Sequence, residues 1–75
     1  MKAFGYVDNS DAETPSSLSE VTLLVTLDEI QDLIDFLKDV KEEHSKVNTR
    51  GVVNHSHLKD WKSVYKETDL IIATK

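Results

Sequence analysis

Apolar positions recur with period two near both ends of the chain and at spacings of three and four in the middle. Lys2 to Asp8 (KAFGYVD) predicts a short strand, with Phe4 and Tyr6 on one face and Ala3, Gly5 and Val7 on the other. Glu20 to Thr26 (EVTLLVT) is rich in β-branched residues and predicts a second strand, with Val21, Leu23 and Val25 on one face. Between them, Asp8 to Ser19 (DNSDAETPSSLS) holds the only proline and predicts a long loop.

The helix is the best-marked element. Thr26 is a natural N-cap and Glu29 stands three residues later, the pattern of a capping box. Leu27, Ile30, Leu33, Ile34, Leu37 and Val40 form one apolar stripe, and Asn48 and Gly51 offer exits, so a helix from Leu27 to about Val47 is expected. Val52 to Leu58 (VVNHSHL) predicts a third strand. Lys59 to Thr68 is a connection with one helical turn through Trp61, Val64 and Tyr65. Asp69 to Thr74 (DLIIAT) is the fourth strand. The order ββαββ implies an α+β fold: a two-layer sandwich with one amphipathic helix packed on a mainly antiparallel four-stranded sheet.

That architecture leaves a face uncovered. Leu24 opposes Leu23 and Val25, and Ile71 opposes Leu70 and Ile72, so these strands are apolar on both sides. One helix covers one face, and an exposed apolar patch of several hundred Å² usually marks an interface. The expectation is a homodimer; the alternative is that the long loop or the Trp61 segment folds back as a cover.

Composition narrows the function classes. Seventy-five residues make a single domain, 1–75, with a thin core. The longest apolar run is four residues, Leu70 to Ala73, where a spanning helix needs about 20. With no apolar stretch after Lys2 to suggest a secretory signal, a cytoplasmic protein away from the membrane is expected. The same reasoning discards the glycosylation match at Asn54-His55-Ser56. Cysteine is absent, which excludes disulfides, thiolate metal sites and cysteine nucleophiles. Fourteen acids against nine bases give a net charge of −5, which argues against nucleic-acid binding. The charge is uneven: residues 1–43 carry eleven acids and three bases, residues 44–75 three acids and six bases.

Three features bear on chemistry. His55 and His57 share a strand face, and His44 falls in the apolar stripe of the helix, so a small metal-binding module is one alternative. The spacing is common and does not require the three to converge, so no metal or other cofactor is assigned. Ser56 alternates away from both strand histidines, and no nucleophile elbow or phosphate loop occurs, so an enzyme is not expected. Asp28, Asp32, Asp35, Asp39 and Glu42 follow spacings of four, three, four and three, making a carboxylate ridge opposite the apolar stripe. Like charges at these spacings cost the helix a few tenths of a kcal/mol per pair, so the ridge suits attraction of a cationic partner. Trp61 and Tyr65, four residues apart, are aromatic anchors for the core or for that partner.

With a single helix between strands, the stretch VVNHSHLKDW and the closing DLIIAT, the chain resembles the small α/β immunity proteins of bacterial polymorphic toxin systems. The resemblance spans the last two-thirds of the chain. It implies a stoichiometric inhibitor that binds a basic toxin domain by surface complementarity, which suits the ridge from Asp28 to Glu42. No binding residues transfer position by position. The expected function is therefore a non-enzymatic protein-binding module, with Asp28, Asp32, Asp35, Asp39, Glu42, Trp61 and Tyr65 as contact residues. A metal-binding module on His44, His55 and His57 and a purely structural homo-oligomerisation domain are the alternatives.

Overall fold

The computed structural model describes residues 1–7, 17–47 and 53–75, and the chain is α+β, with four strands in two small antiparallel sheets around one long helix. β1 (Lys2–Val7) pairs with β2 (Leu18–Leu24), and α1 runs from Leu27 to Lys46. β3 (Asn54–His57) leads directly into the single turn α2 (Leu58–Trp61) and a 3₁₀ turn at Ser63–Tyr65 before β4 (Ile71–Thr74) returns beside β3. Among the described residues no helix is long and apolar enough to cross a membrane.

The start of α1 follows from its capping box. The Thr26 hydroxyl accepts from the Glu29 N–H at 3.2 Å and the Glu29 carboxylate accepts from the Thr26 N–H at 2.9 Å, so two otherwise orphaned donors are satisfied. The second Glu29 oxygen meets the N-terminal ammonium of Met1 at 2.8 Å and ties the start of β1 to the first turn of the helix. Together these contacts, the ammonium foremost, hold the Glu29 carboxyl below its usual range.

The expected single four-stranded sheet is corrected: β1 pairs with β2 and β3 with β4, and among the described residues no strand joins the two pairs. Dimensions supply the reason. Twenty residues make a helix about 30 Å long, whereas four-residue strands span only about 13 Å. The C-terminal half of α1 covers the short β3–β4 sheet, while the β1–β2 hairpin enters at the opposite end through Val25 and Thr26. Strand limits shift as well. Leu58 starts α2 instead of ending β3, because the Asp69 carboxylate accepts from the Lys59 N–H at 3.2 Å and caps that turn. The predicted loop lies largely outside the described residues, as do Val52 and the exits Asn48 and Gly51.

The core is small. Phe36, Val40, Leu58 and Tyr65 are buried, with Met1, Leu33, Trp61, Leu70 and Ile72 packed around them. β3 alternates as a strand must: Ser56, opposite Ile72, faces the helix, while His55, opposite Ala73, and His57, opposite Ile71, face outward. In the hairpin, Gly5 leaves room for the Leu18 side chain, since a Cβ there would lie 2.8 Å from the Leu18 Cδ1.

Candidate functional site

The residues singled out by sequence fall into three groups on α1, separated by the 100° turn per residue. The first is the carboxylate ridge, and part of it is occupied from within the chain. Asp32 accepts from the Tyr65 hydroxyl at 2.6 Å and from the Lys62 ammonium at 3.1 and 3.2 Å. Asp39 accepts from the Trp61 indole N–H at 2.8 Å. The indole ring packs on Phe36 with centroids 5.8 Å apart and planes tilted by 60°. Asp32, Asp39, Trp61 and Tyr65 thus form one internal set that clips the α2–3₁₀ segment to the helix. Trp61 and Tyr65 anchor to the ridge and the core, not to each other. Asp28, Asp35 and Glu42 remain exposed, Asp35 receiving Gln31 at 3.0 Å and Glu42 the Lys46 ammonium at 3.3 Å.

The electrostatics agree with the geometry. The Tyr65 hydrogen bond, helped by Lys62, holds the Asp32 carboxyl below its usual range. Burial and the adjacent Asp32 carboxylate push the Tyr65 phenol up to about 12. Part of the charge asymmetry along the sequence is therefore internal, with a lysine of the basic half held by the acidic helix.

The second group is the histidines, which do not converge. His44 sits on the helix side of β3, its Nε2 2.8 Å from the Ser56 hydroxyl and its Nδ1 2.8 Å from the Thr74 hydroxyl. Both ring nitrogens are used to strap α1 across both strands. His55 and His57 lie on the other side of β3, their rings edge to face at 5.3 Å. The Nδ1 of His57 is 2.5 Å from the Asp69 carboxylate, a contact that, with the Lys59 N–H, holds that carboxyl low. Among the described residues no three histidine or acidic side chains are placed to hold a metal ion. The strand alternation that separates His44 from His55 and His57 is the reason. The Ser56–His44 pair was not anticipated from the sequence. The second His44 nitrogen meets the Thr74 hydroxyl, so both ring nitrogens are engaged by side chains of the β3–β4 sheet.

An open cleft of about 550 Å³ lies between α1 and α2, with Glu43, His55, Asp60 and Trp61 around it. It is open and its lining is more polar than apolar, unlike the enclosed, largely apolar sites that bury a small molecule.

The third group is apolar and exposed. Phe36 and Val40 fill the core, but Leu27, Ile30, Ile34 and Leu37 occupy the neighbouring arc of α1 and face solvent, Leu27 being 84% exposed. On the hairpin, Phe4, Tyr6, Val21 and Leu24 are likewise 57–68% exposed. The second face anticipated from the sequence is visible at Leu24 and, on β4, at Ile71, which is 52% exposed. No protein-family model, curated protein or solved structure matches the chain.

Proposed function

We propose that this chain is a non-enzymatic protein-binding module that acts through its outer surface. One observation carries the reading. More large apolar side chains stand exposed on the hairpin and the flank of α1 than are buried in the core. A monomeric protein rarely leaves so many large apolar side chains together in water, and exposed apolar surface of this kind marks binding surfaces. The ligand is a polypeptide, because the apolar side chains are spread over a helix flank and a hairpin, and the cleft of about 430 Å³ over Phe4, Tyr6 and Thr22 is open, unlike a site that encloses a small molecule. Inhibition of a basic toxin domain is the specific version suggested by the resemblance to immunity proteins. In that version Asp28, Asp35 and Glu42, the carboxylates left outward, supply the attraction, while Asp32 and Asp39 hold the fold.

Site-specific photo-crosslinking in cells tests the proposal. A photoreactive residue at Ile34 or Tyr6 is expected to give adducts with a polypeptide, and one at the exposed Lys59 is not. Absence of any polypeptide adduct from both apolar positions contradicts it.

A further inference from the structure

The occupant of this surface follows from its shape and charge. The hairpin stands as a two-stranded ribbon whose faces are both exposed. Phe4 and Tyr6 share one face with Leu24, while Val21 lies opposite Gly5 on the other. A two-stranded hairpin is marginal in water unless something packs on it. The helix arc of Leu27, Ile30, Ile34 and Leu37 is a second exposed apolar strip. Each molecule therefore carries both an uncovered ribbon and an uncovered strip.

Charge selects the kind of partner. A copy with net charge −5 repels its like unless the acids are turned away. On the helical wheel the apolar arc lies more than 90° from the centre of the Asp28–Glu42 ridge, so two copies can meet with both ridges outward. The helix carries exposed Lys38 and Lys41, and the hairpin face with Phe4 and Tyr6 carries exposed Glu20 toward one end and exposed Lys2 at the other. A reciprocal arrangement that sets the Glu20 end against Lys38 and Lys41 pairs opposite signs.

We infer that the hairpin and the Leu27–Leu37 flank are a self-association surface. A second copy of this chain docks there about a two-fold axis, the hairpin of each protomer lying on the helix flank of the other. This rests on the protein-binding reading above and names its partner. The interface is isologous, so each substitution acts twice.

Sedimentation velocity of the full chain over a wide concentration range is the test. The natural sequence is expected to sediment as two chains. Ile34→Glu and Tyr6→Glu are expected to sediment as single chains with helical circular dichroism retained, since both residues lie outside the core. Ile34→Ala, which adds no charge and keeps the fold safe, is expected to weaken association about tenfold or more. Val64→Glu, on the side of the helix that carries Asp32, is expected to leave the dimer intact. A natural sequence that stays monomeric at the highest concentration overturns the inference, as does a dimer indifferent to Ile34→Ala and Tyr6→Glu. The two readings fail separately. A monomer that still cross-links from Ile34 to a different polypeptide loses the second copy but keeps the binding function.

Discussion

At the scale of single residues, the molecule is held by a few polar pairs set around very little core. Among the described residues Phe36 and Leu58 are the fully buried large side chains, so Asp32, Glu29, Asp69 and His44 fix positions that packing alone does not. Their ionisation gives stability a defined pH dependence. Asp32, Asp69 and Glu29 titrate below their usual values of 3.8, 3.8 and 4.5 in the folded chain. A lowered carboxyl contributes stability that is present above the unfolded value and lost as pH falls through the folded one. Tyr65 has the opposite sign: raised from 10.0 to about 12, it contributes fully below 10.0 and loses that contribution as pH climbs toward 12. The melting temperature is expected to be flat from about pH 5 to about pH 9 and to fall on both sides. Tyr65→Phe is expected to lower the plateau and make the alkaline fall shallower. An unchanged alkaline slope in that variant contradicts the assigned role of the phenol.

At the scale of elements, the acidic ridge is the point where sequence and structure part. A periodic row of carboxylates looks like a face held out to a partner, yet Asp39 and Asp32 bind the Trp61 and Tyr65 of their own chain. Removing the Asp39 carboxylate should loosen the clipped segment first. Asp39→Ala leaves the Trp61 indole N–H without its acceptor, at a cost of about 1 kcal/mol. Its emission is expected to shift to the red and the amides of Leu58 to Tyr65 to exchange faster than in the natural sequence. Unchanged emission and exchange contradict the clip. The helix itself was legible to within a residue at both ends, because a capping box and a three-four apolar spacing are local signals. The four strands were legible in kind and order, with limits off by at most two residues. Their grouping into two sheets was not, because whether β2 pairs with β1 alone is decided by contacts far apart in sequence. The same holds for the site. Nothing local announces that Lys62 and Tyr65 fold onto Asp32, thirty and thirty-three residues away. The split of the histidines came from strand alternation, which the sequence does carry, and from His44 meeting Ser56, which it does not.

At the scale of the whole molecule, the apolar stripe of α1 is wider than the core it has to cover. One arc, Phe36 and Val40 with the strap at His44, seals the β3–β4 sheet. The adjacent arc, Leu27 to Leu37, is exposed, and so are Phe4, Tyr6, Val21 and Leu24 of the hairpin. The sequence already showed an excess of apolar faces at Leu24 and Ile71, and both side chains are exposed in the structure. The self-association proposed above covers the helix flank and the hairpin with a second copy in solution. Amide hydrogen exchange of the full chain at two well-separated concentrations tests this most directly. The account predicts that β1 and β2 are protected and that their protection rises with concentration, while β3 and β4 change little. Fast exchange throughout Lys2–Val7 and Leu18–Leu24 at both concentrations, beside a protected β3–β4 sheet, would contradict it.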